Sequence, residues 1–391
     1  MKFKKILVWF RNDLRLHDNE MLVEAIAKSD SILPVYFFDP RYFDSTKFDT
    51  IKTGVNRTKF LLESVSALKD QFKSLGGDLL IVMGKPEEQI LKIAEENDIN
   101  EVYHHREVGQ EETSVSAAVE DALWKQKINL KHFIGHTLYN KEDLPFPIKD
   151  IPDVFAQFKK KTERDAIVKA CFDAPDSISF VRPEYWGALP KLSDFGLFAA
   201  EAPVSELDIL GGEQSGITHL TSILEEGSDI YVKVSGKGVD KSGYSSKLSS
   251  WLALGCLSPR KVYWGVKDAE IRFGNNANFS HVILGLLWRD YYRFMFKKHG
   301  VQYFQESDFL ELVESPDKTK AFLLEQWKGA VTGNAVVDQF MCELNNTGYL
   351  KHSSRLLVAT YLVHVLKIHW TNGAAYFEDK LIDYSSASNW G

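Results

Sequence analysis

The chain has 391 residues, 44% hydrophobic and 26% charged, with a formal net charge of -7. That length exceeds what one ordinary core organises, so two domains are the default expectation. The acidic balance excludes a global basic field that would draw in nucleic acid, and any such partner must meet a local patch.

The longest apolar runs, such as Ile6 to Phe10 and Ile32 to Phe38, fall far short of the roughly 20 residues that cross a bilayer. The Lys2-Phe3-Lys4-Lys5 start leads into a strand-length run with no small-residue cleavage site, so no signal peptide is expected. Cys171, Cys256 and Cys342 follow neither disulfide nor zinc spacing. They point to a reduced, cytoplasmic setting and leave an organelle open.

From Lys5 to about Phe133, strand-like and helix-like segments alternate. Ile6 to Phe10, Ser31 to Phe38, Leu79 to Val82 and Glu101 to His104 are mostly apolar runs bounded by polar residues, as buried parallel strands require. Met21 to Ala27, Lys59 to Leu75, Pro86 to Glu96 and Thr113 to Lys125 carry helical periodicity. The pattern predicts an open, doubly wound α/β domain over 1–135, with ligands beyond the carboxyl ends of its strands, near Phe10 to Asp13 and Phe38 to Pro40. No GxGxxG or Walker A loop supplies a phosphate cradle.

Over 136–204 the prolines Pro145, Pro147, Pro152, Pro175, Pro183 and Pro190 and the polar run Lys159 to Arg164 predict a long linker holding one helix. Beyond it, 205–391 reads as a helical domain, with aromatic-rich segments at Val282 to Phe296 and Leu357 to Trp370.

Tyr244-Ser245-Ser246-Lys247-Leu248-Ser249 precedes the apolar Trp251 to Leu254. Hydroxyls and a lysine at a helix start suit a phosphate or pyrophosphate, because unpaired N–H groups point there. The ordinary alternative is a plain N-cap. In Gly285 to Arg293, helical spacing sets Trp288 and Tyr292 on one face and Arg289 and Arg293 on the next. Aromatics beside arginines suit flipped or single-stranded bases with phosphate contacts. A core stripe with solvated arginines is the alternative, as it is for the basic runs Lys159 to Lys161 and Arg293 to His299.

Arg355 and Asp383 lie in separate helical patterns and are either a buried pair, costly without a charged partner such as a reduced flavin, or a surface pair, or no pair at all. Trp370 reads as a core residue. His352 reads as a partly exposed helix histidine able to move protons near neutral pH.

Trp9-Phe10-Arg11-Asn12-Asp13-Leu14-Arg15-Leu16-His17-Asp18-Asn19 resembles the opening signature of the photolyase/cryptochrome family. Leu138-Tyr139 with Asp143 to Phe146, followed by Asp153 to Phe158, resembles its cryptochrome DASH branch. Gly211-Gly212-Glu213, Trp251 to Arg260, Leu286 to Tyr291, Thr332-Gly333 with Val337-Asp338, Leu344-Asn345 with Thr347-Gly348-Tyr349, and Ser388 to Gly391 follow in the family's order. These runs span nearly the whole chain.

The resemblance implies an α/β antenna domain and a helical domain holding bent FAD. It implies blue-light-driven electron transfer from reduced FAD to cyclobutane pyrimidine dimers in single-stranded DNA, by a monomer outside membranes. Carried over, Tyr231, Ser245, Ser246 and Ser249 contact the FAD phosphates and sugar, and Arg289 sits at the flavin pocket. Arg355 and Asp383 pair beside the isoalloxazine, and Asn389 faces its N5. Trp288 stacks on the flipped dimer, with His352 also on the substrate side, and Trp370 is the middle of a tryptophan chain. A folate antenna, methenyltetrahydrofolate, would look to Glu111 or Glu112.

Departures bear on activity. Gly285 stands where the family has a glutamate that bonds the dimer, and the run His352-Ser353-Ser354-Arg355-Leu356 keeps only the second arginine of the family's motif. Ser385 and Cys342 replace an acidic residue and an arginine. Family members continue past Gly391 with a tryptophan-bearing segment, so the resemblance implies a shortened end. The expectation is weakened repair. The alternatives are a light-signalling or nucleic-acid-binding protein without repair, and a scaffold that no longer holds FAD.

Overall fold

The computed structural model describes residues 3–198, 209–231, 245–300 and 318–390. Five parallel strands, β1 (Lys5–Phe10), β2 (Ser31–Phe38), β3 (Leu80–Met83), β4 (Glu101–His105) and β5 (Asn129–Phe133), lie in the order β3-β2-β1-β4-β5. The chain builds outward from β1 on one side and returns through β4 on the other. This places the switch point of a doubly wound sheet between β1 and β4. Register pairs Ile6 with Ile32 on one side of β1 and with Glu101 on the other.

Alternation along β1 divides the apolar interior. Ile6, Val8 and Phe10 join one cluster while Leu7 and Trp9 join the other, under α3 (Pro86–Glu96) and α4 (Gln110–Trp124). The first cluster, lined by α1 (Glu20–Lys28) and α2 (Val55–Ser74), does not stop at the sheet. It runs on into Trp251, Leu286 and Leu287 of the helical half. β5 carries no apolar run in its sequence Asn-Leu-Lys-His-Phe, which is why periodicity alone passes over it.

The Pro-rich stretch does hold one α-helix, α5 (Phe155–Asp165), but it is tied to the sheet. Ile32 N–H donates to Ser179 O and Val181 N–H to Ile32 O, each at 2.9 Å, and Ile81 N–H donates to Trp186 O at 2.9 Å. Its prolines interrupt helices without loosening the chain.

The helical half comprises α6 (Glu213–Leu224), α7 (Ser249–Ala253), α8 (Pro259–Phe273), α9 (Ala277–His299), α10 (Lys318–Lys328), α11 (Ala335–Thr347), α12 (His352–Thr360), α13 (Trp370–Lys380) and α14 (Ser386–Asn389). Local chemistry starts them. Ser258 caps α8 ahead of Pro259, and the Asn276 and Asn334 side chains accept from early N–H groups of α9 and α11. A π-turn over Tyr361–Val365 ends α12. Among the described residues no helix is long and apolar enough to cross a membrane.

A buried charged seam joins the halves. Asp18 pairs with Arg260 at 2.6 Å, His17 meets Glu213 at 2.5 Å, and Glu107 meets Arg293 at 2.8 Å. At Gly255, φ is +65°, and a Cβ there would overlap the Asn12 carbonyl oxygen, so only glycine lets the two backbones approach.

Candidate functional site

α9 runs from the Asn276 cap past Gly285, Trp288, Arg289 and Asp290. Gly285 is exposed, and a Cβ added there would meet nothing within 4 Å. Trp288 is 37% exposed, but one face of its indole is stacked on Phe155, with ring centroids 3.6 Å apart, and Tyr292 lies 5.5 Å away. The aromatic face expected from helical spacing is present, already partnered by α5.

The arginines of α9 correct one of the two alternatives: neither is solvated. Arg289 donates to the carbonyls of His136 and Leu252, the latter at 2.9 Å. Burial, with Arg293 nearby, pushes its guanidinium down to about 10. Arg293 is 7% exposed and reaches Glu107, whose carboxyl also accepts from Asn12 at 3.1 Å. Burial raises the Glu107 pKa, but His136, Arg293 and Arg11 outweigh it and hold the group well below the ordinary range. Asp290 accepts from the N–H groups of Leu138 and Tyr139 at 3.0 and 3.1 Å, and burial pushes its carboxyl up to about 7.

The serine run does not form a side-chain-capped helix start. α7 spans only five residues, and its N-cap is Leu248, which makes no side-chain cap. Tyr244 lies outside the described residues. Ser245 Oγ instead meets Tyr349 Oη at 2.9 Å, and His219 Nε2 donates to the Ser246 carbonyl at 2.8 Å. Tyr231 donates to Leu224 O at 2.9 Å from a 3-10 turn. No hydrogen bond or ring contact described joins it to the serine run.

The other wall comes from α11 to α14. Arg355 Nη2 donates to Asp383 Oδ2 at 2.6 Å, and its Nε donates to Leu350 O at 2.8 Å. Asp383 is buried, and its second oxygen, Oδ1, has no hydrogen-bond partner among the described residues. The two residues that the sequence leaves as either buried or surface therefore meet, with the carboxylate side buried.

Asn389 Nδ2 donates to Ala374 O at 2.9 Å, which fixes α14 on α13, and α14 also lies against α9. Trp370 opens α13, with the Trp390 ring 6.0 Å from its own. His352 is exposed at the start of α12, its pKa lowered by partial burial, Arg355 and His281. Glu111 pairs with Lys52 at 2.5 Å, while burial and Glu107 raise the Glu112 carboxyl.

Ser245, Tyr349, Arg355 and Asp383 are thus contiguous, with Asn389 and Trp370 on the adjoining α13–α14 unit. Tyr349 at this site has no role assigned from sequence, and neither do Asp290, held by Leu138 and Tyr139, and Glu107, held by Arg293 and Asn12. Tyr349 stands in a matched motif, but no periodicity marks it.

The donor set fits a flavin. An unpartnered buried carboxylate oxygen beside a guanidinium is a ready acceptor for a ring N–H, and serine hydroxyls one residue away suit phosphate oxygens.

Comparison with known proteins accords with that donor set. Residues 6–176 match the DNA photolyase family model, and residues 282–391 match the FAD binding domain of DNA photolyase. The chain belongs to the photolyase/cryptochrome family and carries that family's FAD-binding domain. Its branch is cryptochrome DASH. The cryptochrome DASH of Gloeobacter violaceus is 40% identical over 396 residues, covering 100% of this chain and 78% of the relative. That of Synechocystis is 39% identical, covering 99% and 79%. The chloroplastic/mitochondrial cryptochrome DASH of Arabidopsis thaliana is 36% identical, covering 98% and 68%. The crystal structure of Synechocystis cryptochrome superposes with a TM-score of 0.90 at 37% identity, covering 100% of this chain and 82% of that one. A class III photolyase from Agrobacterium tumefaciens shares the fold with a TM-score of 0.83 at 24% identity.

Proposed function

We propose that this protein is a blue-light-driven photolyase acting on cyclobutane pyrimidine dimers in single-stranded DNA, as a monomer and at reduced efficiency. The observation that carries the reading is the Arg355 to Asp383 pair with its open carboxylate oxygen, set in the FAD-binding domain. When bound, reduced FAD supplies the light-driven electron that splits the dimer and receives it back.

The chain's own residues do the rest. Asp383 would accept from the flavin ring, and Arg355 holds that carboxylate in place. Ser245, Ser246, Ser249 and Tyr231 hold the phosphate and sugar end, with Arg289 and Asn389 along the ring. Trp288, with its exposed surface, serves a flipped base, with His352 at the rim. Trp370 belongs to the chain of indoles that returns electrons to oxidised flavin. The low efficiency follows from Gly285, which places no donor or acceptor on the dimer, and from Ser353 and Ser385 in place of charged groups. Glu111 or Glu112 is the place for a folate antenna, and a cytoplasmic or organellar compartment suits the thiols.

The test is illumination of a single-stranded oligonucleotide carrying one dimer, with protein spectra recorded before and after blue light. Slow, light-dependent loss of the dimer is expected. Salt-dependent binding to undamaged strands with no loss of dimers would overturn the reading in favour of binding without repair. A colourless protein that cannot be reconstituted with FAD would overturn it altogether.

A further inference from the structure

Tyr349 is 4% exposed and stands between the two halves of the proposed flavin site. On one side its hydroxyl lies 2.9 Å from Ser245 Oγ. On the other, the Arg355 guanidinium sits over its ring, 5.7 Å from the centroid.

Its backbone is equally fixed. Tyr349 N–H donates to Thr347 Oγ1 at 3.0 Å, and the preceding Gly348 carbonyl accepts from Ile382 N–H at 2.9 Å. Gly348 has φ of +70°, and a Cβ there would press on the Lys380 carbonyl oxygen at 2.9 Å. The hydrogen bond from Ile382 thus ties the residue before Asp383 to the residue before Tyr349.

A phenol has one proton to give and can accept from a second hydroxyl. When Ser245 Oγ receives the Tyr349 proton, the serine keeps its own O–H pointing elsewhere. We propose that Tyr349 is a positioning residue that aims the Ser245 hydroxyl at the phosphates of FAD and sets its distance from the Arg355 to Asp383 pair. The proposal rests on the reading of that serine as a phosphate contact.

The test is titration of the FAD-free full chain with FAD and, separately, with riboflavin, followed by flavin fluorescence. Tyr349→Phe keeps the ring beneath Arg355 and removes only the hydroxyl. The expected result is an FAD dissociation constant raised on the order of tenfold, with riboflavin binding unchanged. Ser245→Ala should show the same selective loss, and the double variant should be little worse than either single one. A Tyr349→Phe protein that binds FAD like the wild type, or loses FAD and riboflavin equally, overturns the proposal. If Ser245→Ala leaves FAD binding intact, the serine reading falls and the proposal falls with it. Amide exchange over 245–253 tests the same role without flavin: faster exchange in Tyr349→Phe than in wild type is expected, and equal exchange overturns the proposal.

Discussion

Arg355 binds one oxygen of Asp383 at 2.6 Å and leaves the other buried and, among the described residues, unpartnered. A buried acceptor without a donor costs roughly 1–3 kcal/mol, so this carboxylate is prepared for a ligand at the expense of the empty protein.

Asp383→Asn keeps the shape but removes the charge. The FAD dissociation constant should rise by tenfold or more, since hydrogen bonds to charged groups contribute roughly 1.5–3 kcal/mol. Flavin content after purification measures it, and a variant that retains wild-type flavin would refute the role.

At Gly285 the helix has room for a side chain. Gly285→Glu should raise the unfolding midpoint, because glycine costs a helix interior roughly 0.5–1 kcal/mol. It should also tighten binding to a dimer-bearing strand about tenfold. A higher midpoint with unchanged affinity would show that Gly285 is not a lost substrate contact.

Stacking and charge are separable at Trp288. Trp288→Ala should weaken single-strand binding by about 1–3 kcal/mol while leaving the slope of affinity against salt unchanged. A changed slope would mean that the indole orders phosphate contacts instead.

Asp290 links stability to pH. Its folded pKa of about 7 lies above the unfolded value of roughly 3.9, so the folded state holds the extra proton. Its contribution is fully present below about pH 4 and is lost as pH rises through about 7. Arg289 and Arg293 face it and moderate the shift. Denaturant midpoints for wild type and Asp290→Asn, taken from pH 5.5 to 8, should show the wild type losing ground to the variant as pH rises. His104 and His136, with lowered pKa values, act with the opposite sign at lower pH and cancel in the comparison. A difference between the two midpoints that stays constant across this range would refute the assignment.

Much of the α/β half was legible because buried strands in a parallel sheet are continuous apolar runs, and β2 has the bounds its sequence predicts. β5 escaped because an edge strand with one buried face carries little hydrophobic signal. At the site, Arg355 and Asp383 were visible as charges in helical patterns, but not that they meet, since the contact spans 28 residues and depends on the turn at Gly348. That the arginines of α9 are not solvated was hidden for a related reason. Helical spacing fixes which side of α9 they occupy, while Glu107 and the His136 carbonyl, from a distant part of the chain, decide that this side faces inward.

The charged seam also constrains ancestry. Asp18, Glu107 and Glu213 are each met by a cation or histidine from the opposite half of the chain, and each would be a buried carboxylate short of that partner if its counterpart were exchanged. Recombination that brought either half a new neighbour would have to replace both sides of every pair at once. The two halves of this chain are therefore expected to share one line of descent, changing by matched substitutions along the seam and not by the swapping of modules.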